Sequence, residues 1–570
     1  MADVWFDDMV DQLPLSTEDT KAVAIHVSRL LLPGQNIPLP QRLKNDTAPR
    51  IVFISTSDGK RSASVHIGAA KGIATALEQA LDAVMEAKKD STINWVKVDV
   101  VAGSTLIGYQ DFTKALPIDA NVNGLAFGQR SRIALLPGEL TGRGIVDNDR
   151  MIKPLLLIGY LKSRISNDES SKFKGLGDIH RVSYRFTTDG FIATANATTP
   201  KPLYRGHRFY DEQITNDQAM EAANIAGNYM AHAIYPDGRF IYLYHAHKNQ
   251  ILNSYSLSRH ASSLSRMMEL HSVAPKKQLL DSSKLAISYL LQQLRQMNTK
   301  TLRGFCVVDE NHAQLGPTSQ ALLAIAQYTK TTGDKRYLGT AKQIGRWILG
   351  LQQPNGRFIH KVTFPDGFDT KRESWFYPGE ALLALLRLYE VDPDQRWLDA
   401  VVRNVKYRMS VLHKDANDEQ LSHQFYFVVA LNELYRHRRE RPYIDHAIEL
   451  ATIMMKSQND RSKRIDWEGG FHVPPHINIT ATRCEAFRIA AAMAESIGDH
   501  KRATEFVNAM DQGIRFIMRC QIAPEQAMYL RYPTRVLGAF RSDLDHYHIR
   551  IDYAQHCIGS LLSWRKMKKD

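Results

Sequence analysis

The stretch Trp375-Phe-Tyr-Pro-Gly-Glu380, followed by the apolar run Ala381-Leu-Leu-Ala-Leu-Leu-Arg-Leu-Tyr389, decides how the second part of the chain is organised. The Pro-Gly pair indicates a loop, and the apolar residues after it recur at helical spacing. The sequence therefore predicts a mostly buried helix with Tyr377 and Glu380 in its first turn. The positive end of the helix dipole alone would explain a carboxylate at that place.

Similar apolar runs recur along the chain after residue 215, and helices that are apolar on nearly all faces are buried ones. The predicted buried helices are Ala261–Val273, Ser319–Tyr328, Ala381–Tyr389, Phe425–Tyr435, Ala486–Ala494 and Tyr553–Leu562. Between them lie segments with an apolar stripe on one side only, which is typical of helices on the outside of an assembly. These are Gln278–Leu291, Arg336–Leu349, Arg396–Met409, Pro442–Met455 and Lys501–Ile514, preceded by a helix near Asn216–Ala233.

This alternation predicts about twelve helices in six pairs, with six inner helices surrounded by six outer ones. Such an arrangement is an all-α (α/α)6 toroid, which we place in residues 201–570. The repeat resembles the six-hairpin glycosidase-like group, which includes N-acylglucosamine 2-epimerase-type enzymes and several glycan hydrolases. That resemblance implies a carbohydrate-active enzyme, either a hydrolase, a lyase or an epimerase, for the C-terminal part.

Residues 1–200 predict an α+β domain, so the whole chain is multidomain. Helical patterns at 21–32 and 72–85 alternate with strand patterns at 50–55, 63–67 and 95–101. This order, with the link Pro38-Leu-Pro40, loosely resembles the AMMECR-type domain. The position of that family's signature cysteine holds His66 here, for which we expect a structural role. The basic stretch Lys162–Lys174 is interpreted as a linker.

Composition limits the class of protein. The 570 residues are 44% apolar and 23% charged, as in soluble globular proteins, and no apolar run is long enough to span a membrane. The N-terminus shows no export leader. The four cysteines are scattered without a Cys-x-x-Cys pair, so we expect reduced thiols and a cytoplasmic location.

The net charge of +13 favours an anionic partner. Because there is no long Lys/Arg run, a nucleic-acid partner is not expected, and an acidic or phosphorylated sugar fits better. The oligomeric state stays open. The sequence has no P-loop, no strand-linked Gly-x-Gly-x-x-Gly and no Gly-x-Ser-x-Gly elbow, and we expect no cofactor.

Polar residues precede or begin each predicted inner helix, and in a toroid these six junctions meet at one end of the cavity. Carboxylates and histidines there suit acid–base catalysis, and arginines suit the binding of a carboxylate or phosphate. The predicted catalytic residues are His260, Glu380, His423, Glu485, Asp552 and His556. The predicted substrate-binding residues are Arg259, Tyr377, Gln424, Trp467, Arg483, Asp545, His546 and Arg550.

Several histidines lie close together in sequence, including the His245-x-His247 pair and His546 with His548. None of these groups has a complete ligand set at a recognisable spacing, so we predict no metal.

Two other classes of function remain possible for such a chain. The toroid could bind a glycan or peptide without catalysis while the N-terminal domain recruits a partner. It could also act on isoprenoids or peptides, as other α-toroids do, although the polar Arg and His content of the junctions argues against a dry aromatic cavity.

Overall fold

The computed structural model describes residues 4–87, 92–111, 113–127, 133–147, 149–164 and 182–567. Within them, the N-terminal part contains an antiparallel sheet with the strand order β2-β1-β3-β6-β4-β5, extended from β6 by β7 and β8. Its strands are β1 Pro49–Ser57, β2 Ser64–Lys71, β3 Trp95–Tyr109, β4 Gly124–Phe127, β5 Ile133–Leu135, β6 Val182–Thr194, β7 Ala197–Tyr204 and β8 His207–Arg208.

Helices cover parts of this sheet. They are α1 Thr17–Leu31, α2 Gln41–Lys44, α3 Ile73–Ala87, α4 Pro137–Gly142 and α5 Pro154–Arg164. The predicted order of elements up to residue 109 is therefore present, and His66 lies in β2 opposite Ile54 of β1. The predicted linker, residues 162–174, lies largely outside the described residues.

The two faces of the sheet have different partners because side chains alternate along a strand. Val52 and Ile54 of β1 pack in a core with Val23 and Val27 of α1. Phe53, on the opposite face, belongs to a second core that continues into the helical part of the chain. The N-terminal domain is therefore packed against the toroid through apolar side chains.

Twelve long helices follow within the described residues, and they confirm the predicted α+β domain followed by an (α/α)6 toroid. The outer helices are α6 Asn216–His232, α8 Lys277–Gln292, α10 Leu338–Gly350, α12 Gln395–Tyr407, α15 Arg441–Met455 and α17 His500–Cys520. The inner helices are α7 Leu257–Val273, α9 Leu315–Thr332, α11 Tyr377–Val391, α14 Phe425–His437, α16 Ile477–Ser496 and α20 Ile551–Met567.

The inner helices form a closed ring. Each packs against the next in chain order, and α20 packs back against α7. The chain returns from each inner helix to the next outer one through short turns, such as 274–276 and 497–499. The connections that lead into the inner helices are much longer, for example 351–376 and 521–550. All of the long connections therefore lie at one end of the toroid.

These long connections contain the remaining small elements. They are β9 Leu243–His245, β10 Gln250–Ile251, β11 Leu294–Asn298, β12 Arg303–Asp309, β13 His312–Gln314, β14 Lys361–Thr363, β15 His548–Arg550, α13 Asp418–Ser422, α18 Pro524–Ala527 and α19 Pro533–Val536. All four cysteines are free and buried. Among the described residues, no helix has both the length and the apolar character needed to cross a bilayer.

Candidate active site

The first turns of neighbouring inner helices contact one another, so these helices run in the same direction. The Tyr377 hydroxyl donates to Gln314 Oε1 at 3.0 Å, across the starts of α11 and α9. Asn478 Nδ2 of α16 donates to Asp552 Oδ2 of α20 at 2.8 Å. Arg259 of α7 also reaches Asp552, at 3.0 Å. We call this end of the toroid, where the long connections lie, the mouth.

Below the mouth, each of the six inner helices contributes one polar side chain to a single group inside the toroid. We call this group the axial cluster; its members are Arg266, Gln320, Glu380, Tyr426, Glu485 and His556. Such an arrangement needs all six helices in place, because no two of these residues lie on the same helix.

Glu380 is the most distinctive member of the axial cluster. Its residue surface is 8% exposed, and its Oε2 atom has no hydrogen-bond partner among the described residues. Burial raises the pKa of Glu380 to about 7, against a smaller opposite effect of the neighbouring Gln320 amide. The carboxyl group can therefore hold a proton near neutral pH and release it to a ligand.

Gly316 of α9 makes room for this carboxylate. A Cβ atom at this position would lie 2.2 Å from Tyr377 Cδ1 and 2.7 Å from Glu380 Oε2. Tyr377 and Glu380 thus pack directly on the backbone of the neighbouring inner helix, which holds both side chains in place.

An ion pair spans the interior between two inner helices that are not neighbours in the ring. Arg266 of α7 contacts Glu485 Oε2 of α16 at 2.5 Å and also pairs with Glu269 at 2.6 Å. Burial raises the pKa of Glu485, whereas Arg266 acts in the opposite direction. Burial alone would also raise the pKa of Glu269, but Arg266, Lys566 and Arg387 lower it to about 2.

Asp552 lies at the mouth with two arginines. Arg550 Nε contacts Asp552 Oδ1 at 2.6 Å, and Arg259 approaches from the other side. Burial would raise the pKa of Asp552, but the two guanidinium groups lower it, so this carboxylate is ionised. His556, one turn deeper on α20, is neutral because burial lowers its pKa to about 4.

His423 and Phe376 form another part of the mouth. The ring centroids of these two residues are 5.4 Å apart, and Phe376 remains 47% exposed. Burial, with a contribution from Arg483, lowers the pKa of His423. This part of the mouth presents an aromatic face and a neutral imidazole.

Other predicted site residues point away from the interior. His260 is buried on the outer side of α7, where its Nε2 donates to the Ala286 carbonyl at 2.8 Å and its Nδ1 lies 2.7 Å from the Tyr255 hydroxyl. Gln424 accepts a hydrogen bond from Arg408. Arg483 donates to Ser457 Oγ at 2.8 Å. The structure does not bring these three side chains to the axial cluster.

The last three predicted residues lie where the toroid meets the N-terminal domain. Trp467 packs under the Arg464 guanidinium, whose Cζ is 4.6 Å from the ring centroid. Asp545 pairs with Arg464 at 2.9 Å and accepts from Asn121 at 3.2 Å. His546 contacts Asp543 at 2.7 Å, and this carboxylate raises its pKa. The side chains of Trp467, Asp545 and His546 thus contact other side chains of the protein and connect its segments at this place.

Three members of the axial cluster were not among the predicted site residues: Arg266, Gln320 and Tyr426. Arg266 has a visible signal, since it is a charged residue between the apolar Leu264 and Met267 of a buried helix. Gln320 is the last residue of the polar junction 316–320 at the start of α9. Tyr426 lies in an aromatic run and has no distinguishing pattern.

The histidines at the rim form a loose group in the structure. The rings of His245 and His548 lie 4.6 Å apart, and those of His245 and His247 lie 6.2 Å apart. In the part of the chain that the structure describes, no three His, Cys, Asp or Glu side chains are arranged to hold a metal ion.

Comparison with known proteins adds a family model and several solved structures. Residues 282–475, less than half of the chain, match the model of the ulvan lyase N-terminal domain. No curated protein matches the sequence.

Among similar structures, a sugar epimerase from a ruminal bacterium has 10% identity and a TM-score of 0.48, covering 61% of this chain and 99% of that one. Cellobiose 2-epimerase from Bacillus thermoamylovorans has 12% identity and a TM-score of 0.47, covering 61% and 100%. An alpha-1,6-mannanase of Salegentibacter sp., in complex with alpha-1,6-mannotriose, has 12% identity and a TM-score of 0.44, covering 61% and 99%. The closed ring of six inner helices with six outer ones confirms the predicted (α/α)6 toroid, whereas the AMMECR-type resemblance stays a prediction.

Proposed function

We propose that the protein is a carbohydrate-active enzyme that performs acid–base catalysis in the toroid cavity, at the axial cluster below the mouth. The observation that carries this proposal is Glu380, a buried carboxyl group with an unpartnered oxygen, in a cluster to which every inner helix contributes. Structural carboxylates in protein interiors are normally paired, so one with an elevated pKa and a free oxygen is typical of a proton donor.

The neighbouring groups support a division of roles. Glu380 is protonated up to about pH 7 and can donate a proton to a leaving oxygen. His556 is neutral at this pH and can accept a proton. Environments that push the pKa values of two groups apart are the usual basis for assigning an acid and a base.

We further propose an acidic sugar as the substrate, and elimination or epimerisation beside its carboxylate as the reaction. Arg259 supports this proposal, because its side chain is 40% exposed at the mouth and can pair with a second carboxylate beyond Asp552. The family match to an ulvan lyase domain supports the same class of chemistry. In an elimination, His556 would take the proton from the carbon beside the carboxylate, and Glu380 would protonate the departing sugar oxygen.

The test is a turnover screen of acidic oligosaccharides with wild type, Glu380→Gln, His556→Asn and the control Glu505→Gln on outer helix α17. Ultraviolet absorbance reports unsaturated products, reducing-end assays report hydrolysis, and NMR reports epimerisation. We expect each of the first two variants to lose at least about a hundredfold in kcat, which is within the usual contribution of a general acid or base. Turnover that survives in both variants would refute the assignment.

A non-catalytic glycan-binding module is the second candidate. It is favoured by the ion pairs of Glu485 with Arg266 and of Asp552 with Arg550, which neutralise two of the three predicted carboxylates. Acidic oligosaccharides that bind with no product after prolonged incubation would support this alternative.

A further inference from the structure

A large cavity lies away from the axial cluster, between the N-terminal domain and the flank of the toroid. Its volume is about 1580 Å³. One wall is formed by turns and a strand end of the sheet, which include Lys60, Trp95 and Asn196. The opposite wall is the outer helix α6, which presents Glu221 and Tyr229. We call this space the interdomain cleft.

The volume of the interdomain cleft exceeds the roughly 300–1,000 Å³ that usually encloses a drug-sized ligand. It therefore has room for a chain of several units. Glu525 is built into the wall with its side chain 1% exposed; its Oε1 atom pairs with Arg208 Nε at 3.2 Å, whereas its Oε2 atom has no hydrogen-bond partner among the described residues. A buried acceptor of this kind is available for a ligand hydroxyl, since an unsatisfied buried oxygen costs free energy.

The lining indicates the chemistry of the ligand. It combines aromatic side chains, such as Trp95, Phe209 and Tyr210, with amides and with both signs of charge. Acidic and basic residues occur there in equal number: Asp58, Asp211, Glu212, Glu221 and Glu525 against Lys60, Lys201, Arg208, Arg519 and Arg535. Such a surface does not select for net charge, but it suits the apolar faces and hydroxyl groups of sugar rings.

The interdomain cleft and the mouth share a wall. Ile241 and Tyr244 line the cleft, whereas the hydroxyl of Tyr242, between them in sequence, contacts Arg259 at the mouth. Segment 241–244 therefore borders both sites, which lie on either side of it.

We propose that the interdomain cleft binds the non-reacting units of a glycan chain whose reacting unit lies at the axial cluster below the mouth. This inference rests on the proposed function and specifies it, because it makes the substrate an oligosaccharide or polysaccharide. Both domains then contribute to substrate binding.

The test blocks the interdomain cleft from each side with Glu221→Trp on α6 and Asn196→Trp on the sheet. Both positions are exposed, and a tryptophan there fills space without removing a core contact. The matched control is Asp217→Trp, which is exposed on the same helix but does not line the cleft. Circular dichroism and thermal unfolding verify that all three variants fold.

Binding is measured on an array of glycans that range from disaccharides to long oligosaccharides. We expect wild type and Asp217→Trp to retain tetrasaccharides and longer chains, and both cleft variants to bind them at least about tenfold more weakly. Binding of disaccharides should be unchanged. Wild-type levels of binding in both cleft variants, or binding of wild type to an array of extended peptides in place of glycans, would overturn the inference.

The two proposals fail in different ways. If catalysis is absent but the cleft is correctly assigned, the cleft variants lose retention of long glycans that wild type binds without converting. If the cleft is wrongly assigned but catalysis is real, the cleft variants bind and convert long substrates as wild type does, whereas Glu380→Gln does not convert them.

Discussion

At the scale of single residues, Glu380 links the pH dependence of stability to the proposed chemistry. Its pKa is raised from its ordinary value of 4.5 to about 7, so the folded protein holds this proton more tightly than the unfolded chain does. The free energy of unfolding should therefore decrease as the pH rises from about 4.5 to about 7. The shift corresponds to a loss on the order of 3 kcal/mol.

Glu380→Gln should remove this dependence, because the amide cannot ionise. Urea denaturation at pH 5 and pH 8 measures the free energy of unfolding of both proteins. The difference between the variant and wild type should shift in favour of the variant at the higher pH. Glu505→Gln, on the exposed side of α17, should follow wild type at both values. Parallel behaviour of Glu380→Gln and wild type would contradict the elevated pKa.

Gly316 provides a second prediction at this scale. In Gly316→Ala the new methyl group would clash with the Tyr377 ring, so we expect a loss of about 1–3 kcal/mol in the free energy of unfolding. Gly339→Ala is the matched control, because nothing lies within 4 Å of a Cβ atom built there. That substitution should leave stability unchanged or raise it by up to roughly 1 kcal/mol. If chemical denaturation shows the same change in the free energy of unfolding for Gly316→Ala and Gly339→Ala, the Tyr377 ring moves aside without cost.

At the scale of helices, the ion pair between Arg266 and Glu485 ties α7 to α16 through the interior. Arg266→Met leaves the carboxylates of Glu485 and Glu269 without their main partner, and we expect a loss of about 3–5 kcal/mol in stability. Adding Glu485→Gln should restore part of this loss, since one buried charge is then removed. A double-mutant cycle measured by denaturation gives the coupling energy, and strictly additive effects would show that the two side chains do not interact.

The helices were also the part of the fold that the sequence predicted best. Most inner helices are recognisable because their residues are apolar on nearly all faces, and most outer ones because their apolar stripe is one-sided. Because such an inner helix is apolar on nearly all faces, the sequence does not indicate which of its sides faces the toroid axis. His260 and Arg266 lie on α7, the most polar inner helix, and its polar residues on several faces do not indicate that the first points outward and the second inward. Their positions depend on partners far away in sequence, Ala286 and Glu485.

At the scale of the whole molecule, the contact between domains was not predictable from the sequence. Part of it is made by the connection 521–550, which has no regular periodicity. Tyr529 in this connection is buried, and its hydroxyl lies 2.9 Å from Ser55 Oγ of the sheet. The ring also fills the space above Gly138, where a Cβ atom would come within 2.5 Å of it. A loop of the toroid thus completes the core of the N-terminal domain.

Because the two domains share an apolar core, we expect the wild-type protein to unfold in one calorimetric transition. Tyr529→Ala should remove about 3–5 kcal/mol of stability, as large-to-small changes of buried aromatic residues do, and should lower the temperature of that single transition. Tyr532→Ala is the matched control in the same connection, because Tyr532 is 40% exposed. Two separate transitions, of which Tyr529→Ala shifts only one, would show that the domains are independent, and the interdomain cleft would then lack a fixed geometry.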